Sequence, residues 1–338
     1  MKTGIELEYW TINKNGELVS CKEIAKKFDF AEQEFVEPLL EIKTSPHSNF
    51  RELKNEIISN LKEAQKALEE EDLLIAPIGT PLNSKEIEKV PSKRGKIQEE
   101  IIGKNLDAAK RVAGTHIHFE QENVKEQLNK LIALDPALAL VNSSPYYQGE
   151  NLASSSRNQA YRYHCYKDFP KHGHLWEYTD SKEEWVNRIN QRFEEFIEAG
   201  KENGISEEEI RKNFSAEDAL WTPVRLRPDF GTVEWRSPDS CSLGETLNLI
   251  EQMRKIMEQD SFESRPEFEK VQKLSSKAIK EGLQSDDVEN YLNDLGFDTD
   301  NCKDVSSEIK KGDTITLKKA RKERFNAGER FREEVYSF

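Results

Sequence analysis

Nowhere among the 338 residues is there an apolar run of the roughly 18–20 residues that a membrane-crossing helix needs. The start, Met1-Lys2-Thr3-Gly4-Ile5-Glu6, places an acid where a secretory leader would carry its apolar stretch, so a cytoplasmic location is expected. Cysteine is scarce: Cys21, Cys165, Cys241 and Cys302 lie far apart with no CxxC, which leaves neither a disulfide framework nor a zinc ribbon. Neither GxxxxGK[ST] nor GxGxxG occurs, so a P-loop or dinucleotide-binding turn is excluded. There is no basic excess either. With 50 Lys+Arg against 64 Asp+Glu the net charge is −14, and bulk attraction to nucleic acid or an anionic membrane surface is not expected. No repeat, low-complexity tract or clear linker interrupts the chain, whose length suits one large domain or two modest ones.

Against these absences stand 16 Phe, 9 Tyr and 5 Trp spread along the chain, enough to fill a core and to exclude disorder. Residues 3–12 and 35–44 read as strands, and 113–120 as a third. The segments 222–228 and 230–237 read as a hairpin about Pro228-Asp229-Phe230-Gly231. Helices are predicted over about 49–71, where Leu53, Ile57, Leu61, Ala64 and Leu68 recur at helical spacing, and over 96–111 and 124–134. Ser181 with Glu184 and Ser206 with Glu209 signal two further helix starts. Beyond Leu243 the pattern is mainly helical. Strands and helices do not alternate regularly, so the fold class is α+β with an antiparallel sheet, helices packed on one face. The natural division is 1–257 as a catalytic unit, with 258–338 a helical extension or part of the same domain.

Residues two apart share a face of a strand. Glu6 with Glu8, Glu37 with Glu41, His116 and His118 with Glu120, Arg225 with Arg227, and Glu234 with Arg236 therefore align. They lie opposite Ile5, Leu7 and Tyr9, Leu40 and Ile42, Ile117 and Phe119, and Val233 and Trp235. A merely wetted face would carry Lys, Thr and Ser, whereas here carboxylates dominate. Two like charges about 4 Å apart repel by roughly 4 kcal/mol at an effective dielectric near 20. Such a face calls for divalent cations or arginines, and oxygen ligands with an occasional imidazole suit Mg²⁺ or Mn²⁺. Metal and forked arginines on one platform are what phosphoryl transfer requires.

Six segments in order resemble the glutamate–cysteine ligase type 2 family, carboxylate–amine ligases with a glutamine-synthetase-like sheet. They are Gly4-Ile5-Glu6-Leu7-Glu8, Val36 to Thr44, Gly114 to His118, Asn142-Ser143-Ser144-Pro145, Arg157, and Val224 to Arg236. They cover roughly residues 3–255, and the Glu-Pro-Leu-Leu-Glu-Ile-Lys-Thr stretch is most like archaeal members. The resemblance implies ATP-dependent amide formation through an acyl phosphate, with glutamate and cysteine, or another amine, as substrates. It implies that Glu6, Glu8, Glu41, His116 or His118, and Glu234 hold Mg²⁺ against the ATP phosphates. It further implies that Arg236 with Glu234 is catalytic and that Arg157, Arg225, Arg227 and Asn142 bind substrate. A homodimer is its default assembly. The alternative chemistry for the same face is a metal-dependent phosphohydrolase. His164, Cys165, His172 and His174 lack a second cysteine and are set aside as a zinc site. Lys318–Arg332, with seven Lys/Arg against two Glu, reads as a solvated helix or as a cover over bound ATP.

Overall fold

The computed structural model describes residues 1–169, 171–259 and 265–338. Among these, seven strands form one antiparallel sheet: β1 (Thr3–Asn13), β2 (Ala31–Gln33), β3 (Leu39–Lys43), β4 (Leu73–Ala76), β5 (Thr115–Glu120), β6 (Val224–Arg227) and β7 (Thr232–Trp235). The order is β2-β3-β1-β5-β7-β6, with β4 paired to the C-terminal half of β1. β1 occupies the middle because its alternation is the longest, and its apolar positions meet apolar partners: Leu7 opposite Ile42, Ile5 opposite Ile117. Ile117 in turn lies opposite Trp235, and Val233 opposite Leu226.

Helices close that apolar face. In α1 (Phe50–Glu69) the Asn49 side chain caps the Arg51 N–H, and Leu53, Ile57, Leu61, Ala64 and Leu68 are buried. α2 (Lys93–Ile102) stops where Gly103 takes φ 69°, and tighter 3₁₀ turns carry the chain to Arg111, so the predicted 96–111 helix is broken. α3 (Val124–Ala133) and α4 (Lys182–Glu202) fall where expected, Ser181 accepting from the Glu184 N–H at 3.1 Å. α5 (Leu243–Met257), α6 (Phe268–Glu281), α7 (Asp286–Asp294) and α8 (Leu317–Ser337) follow. Leu249 of α5, Val271 of α6, Leu292 of α7 and Phe331 of α8 join Ile5, Leu7 and Trp235 in one core. A second cluster, with Ile101, Phe193, Phe196, Tyr166 and Trp221, walls the other side of the sheet.

Two sequence expectations change. The 35–44 strand is a hairpin: Leu39 N–H bonds Val36 O at 3.2 Å, and the chain reverses at Glu37-Pro38 between β2 and β3. Proline suits such a turn because its φ is preset and it donates nothing to a ladder. Lys318–Arg332 lies within α8, which packs Phe331 and Val335 into the core. Arg324 is buried there and donates to the carbonyls of Gly16, Pro81 and Asn83 at 2.6 to 2.7 Å.

Just past β7 a buried ion pair anchors the chain. Arg162 grips Asp135 with both nitrogens at 2.9 and 3.2 Å, Trp235 Nε1 donates at 3.2 Å, and the Ser237 and Ser275 hydroxyls also donate. Burial alone would raise the Asp135 carboxyl, but Arg162 and the hydroxyls hold it below the usual range. Asp135→Ala strands the Arg162 charge and is expected to cost about 3–5 kcal/mol in urea unfolding. An unchanged midpoint would show that the pair contributes nothing.

Candidate active site

The register of the sheet turns separate sequence motifs into rows. Glu32, Glu41 and Glu8 stand side by side across β2, β3 and β1. Lys43, Glu6 and His116 form the next row, and His118, Glu234 and Arg225 a third. All rise from the face that the helices leave uncovered, into a cleft of about 490 Å³.

At its centre His116 Nδ1 lies 3.1 Å from Glu6 and 3.7 Å from Glu234, and its Nε2 3.7 Å from Glu8. His118 Nε2 stands 3.5 and 3.7 Å from Glu6 and Glu234, buried and without a hydrogen bond. Burial disfavours charge on Glu6, yet the hydrogen bond with His116 and the fields of the two imidazoles hold its carboxyl far below the usual range. Glu234 is wholly buried, which alone would raise it. Arg236, His118 and Arg225 outweigh that and bring it to about 2. Arg236 pairs with Glu234 Oε1 at 3.0 Å. The other oxygen, Oε2, accepts no hydrogen bond, with Arg225 at 4.0 Å and Arg227 at 3.9 Å.

The neighbouring row behaves in the opposite way. Burial, then Glu34 and Glu6, push Glu41 well above the ordinary carboxylate value. Burial also raises Glu8 and Glu34, each aggravated by other carboxylates. Lys43 bridges Glu41 at 2.8 Å and Glu32 at 2.6 Å but does not reach the others. Three groups have ligand atoms all within 4.8 Å of one another: Glu6 with Glu41 and His116, Glu6 with His118 and Glu234, and Glu8 with Glu34 and Glu41. Unsatisfied buried oxygens and a bare imidazole nitrogen among crowded carboxylates fit a hard divalent cation better than they fit any protein partner.

Of the residues singled out from sequence, Glu6, Glu8, Glu41, His116, Arg157, Arg225, Arg227 and Arg236 line the cleft, and His118 and Glu234 are buried beneath that lining, against Glu6 and Arg236. Asn142 does not line it: its amide donates to Ser154 Oγ and Ala278 O, holding the chain against α6. Glu37 is also displaced, bonding Ser20 and Gln33 instead, because the turn at Pro38 breaks the alternation on which its alignment rested. Glu120 pairs with Lys2 at the rim. Glu34 takes the place of Glu37, and only recognition of that turn could have exposed it. Tyr161, Tyr166 and Trp221, with ring centroids 4.3 to 6.4 Å apart, line one end of the cleft, and Lys89, Arg94 and Lys110 one side. His172 packs on Tyr166 and Phe169, and His174 on Tyr163. Among the described residues neither joins a group able to hold a metal. No residue of α8 lines the cleft, so the helix is not a cover for it.

An antiparallel sheet with helices behind it and acids, histidines and arginines in front defines the class of the carboxylate–amine ligases. The chain belongs to glutamate–cysteine ligase family 2, whose profile it matches over residues 3–309. No curated protein matches it in sequence. Among solved structures it is similar to a bifunctional glutathione synthetase from Pasteurella multocida, with TM-score 0.63 and 16% identity over 99% of this chain and 52% of that one. The chain thus spans about half the length of that protein. It is also similar to a glutamate–cysteine ligase from Francisella tularensis in complex with AMP, with TM-score 0.61 and 14% identity over 100% of this chain and 89% of that one.

Carboxyls whose folded pKa is raised bind protons more tightly in the native state, so their contribution to stability falls as pH rises from about 4.3 through the raised values. Glu41→Gln is therefore expected to raise the melting temperature of the metal-free protein at pH 7–8, by on the order of a few degrees. The same change should weaken stabilisation by added Mg²⁺ without abolishing it, since the group of Glu6, His118 and Glu234 is left intact. Thermal melts with and without Mg²⁺ check both. A variant that melts lower and responds to Mg²⁺ as strongly as the wild type would contradict this account of the cluster.

Proposed function

We propose that the protein is an ATP- and Mg²⁺-dependent ligase that joins the γ-carboxylate of glutamate to the amine of cysteine through a γ-glutamyl phosphate. The observation that carries this reading is the floor of the cleft. There a buried glutamate with a free oxygen, two histidines and three arginines stand beside a cluster of acids too crowded to stay charged without cations.

Glu6, His118 and Glu234 would hold one Mg²⁺, and Glu8, Glu34 and Glu41 another. When bound, such ions would supply positive charge that offsets the negative charge of the ATP phosphates. The protein's own groups do the rest. Arg236 is kept firmly charged, since the fields of Glu234, Tyr161 and Glu8 outweigh its burial, and its fork is matched to oxygens on which charge gathers during transfer. Arg225 is anchored by Glu217 O at 2.7 Å and Asp218 Oδ1 at 3.1 Å, and with Arg227 presents a fixed cationic wall to phosphate. His116, its pKa pulled down by burial and by Arg236, lies with Nδ1 3.1 Å from Glu6 Oε2 and orients it. The walls exclude water from the acyl phosphate, which otherwise hydrolyses. The amine then displaces phosphate and the amide forms.

The same chemistry with another amine is the second reading, because nothing in the cleft singles out a thiol. ADP release is measured with ATP and Mg²⁺, with and without glutamate and a panel of amines, with mass spectrometry of the product. The expected outcome is ADP only when glutamate and cysteine are both present, together with γ-glutamylcysteine. A different amine would replace the acceptor and keep the mechanism, whereas ADP without any amino acid would move the protein to the phosphohydrolases. Arg236→Lys is expected to lower kcat by roughly 10²–10³-fold while changing KM for ATP little, since a point charge cannot replace the fork. A loss confined to KM would assign Arg236 to ground-state binding.

A further inference from the structure

Among the described residues, Arg236 makes one side-chain hydrogen bond, to Glu234, and its buried Nε has no partner. Its aim must therefore come from the backbone that carries it. That backbone is gripped from one direction by Arg157, which is 2% exposed and donates from Nη2 to Arg236 O at 3.1 Å and from Nη1 to Ser237 O at 3.0 Å. Asn158 adds a third bond, to Ser237 O at 2.8 Å.

The Arg157 guanidinium lies against Gly114, in the space a side chain there would fill. A Cβ on Gly114 would fall 2.0 Å from Nη2 and 2.6 Å from Cζ. Gly114 is also tied to the acidic row: its N–H donates to Glu8 Oε2 at 2.6 Å, and its carbonyl accepts from Glu8 N–H at 2.9 Å. One guanidinium thus sits between the peptide that holds Glu8 and the peptide that carries Arg236.

We propose that Arg157 is a positioning residue: lodged in the gap left by Gly114, it fixes the backbone at Arg236 and Ser237, and so aims the Arg236 guanidinium at the reacting phosphoryl group. This rests on the ligase reading, and it assigns Arg157 no contact with substrate. Both carbonyl bonds use the nitrogens that a bound carboxylate would need. Misplacement of a catalytic group by about 1 Å is enough to cost roughly 10²-fold in rate.

Gly114→Ala is the informative variant. It leaves Arg157, Arg236 and the rest of the cleft lining intact, and the atoms it displaces are the end of a flexible side chain, so the sheet need not shift. Arg157→Lys keeps the charge and loses the fork. ADP release is measured for the full-length wild type, both single variants and the double variant, alongside crystal structures of the wild type and Gly114→Ala. Each single variant is expected to lose about 100-fold in kcat, with KM for ATP, glutamate and the amine within about twofold of wild type. The double variant should be no slower than the slower single, because both changes break one connection. In Gly114→Ala the Arg236 guanidinium should move by about 1 Å while the strands superpose.

A rise in KM for one amino acid with kcat retained would overturn the proposal and make Arg157 a substrate ligand. Multiplying losses in the double variant, or an unmoved Arg236 in the Gly114→Ala structure, would also overturn it. A wild type that turns over nothing would instead defeat the ligase reading, and the two crystal structures would still decide the positioning role.

Discussion

Repulsion among Glu6, Glu8, Glu34, Glu41 and Glu234 is the constraint around which the rest of this structure is arranged. Side chains that would spread apart in water are brought onto one face of a sheet by the pairing of β1 with β3 and β5. Nothing local favours this. What holds the acids together is the other face, where Ile5, Leu7, Ile42, Ile117 and Trp235 are wholly or nearly wholly buried in a core shared with the helices. Strand alternation makes the two faces inseparable: the register that buries the leucines and isoleucines is the register that crowds the glutamates. The hydrophobic effect on one side supplies the free energy that keeps a strained electrostatic site on the other.

Within the site the strain is divided unevenly, and the division is informative. Near Glu6 and Glu234 the protein answers the negative charge itself, with two imidazoles and three arginines. Near Glu8, Glu34 and Glu41 the fields of Lys43, Arg157 and Arg236 do not offset burial, and those carboxyls are driven toward the neutral form. One half of the cleft thereby keeps its charges compensated by the protein. The other holds carboxyls whose charge the protein does not fully offset. The shared fold with much larger or differently composed ligases is consistent with this economy, since the sheet face alone carries all the groups concerned.

Alternation along single strands was legible from residues alone. Glu6 with Glu8, His116 with His118, and Glu234 with Arg236 each lie within one strand, and two-residue periodicity places them without knowledge of any partner. Legibility ended where the chain turned. Counting back from Glu41 through Pro38 leads to Glu37 and misses Glu34, because the hairpin resets the phase. β4, with only Leu73 to Ala76, is too short for a period to show. Asn142, assigned through its motif, proved to be bound to α6, a contact between segments 136 residues apart that no local pattern encodes. Nor could composition reveal that α6, α7 and α8 help to close the same core as β1.

Arg324 gives the fold an order in time. Its hydrogen bond to Gly16 O joins residues 308 apart, and β1 itself pairs with β4 and β5, both later in the chain. A chain emerging from the ribosome at about 5–20 residues per second exposes β1 long before β7 or α8 exists. β3 follows within seconds, but the edge of β1 that β5 covers stays open for on the order of ten seconds. Contacts of such sequence separation slow folding and lengthen the period of vulnerability to aggregation. The acids that later crowd the cleft serve a different purpose during that interval, as like charges spaced along an exposed strand that discourage its pairing with a second nascent chain.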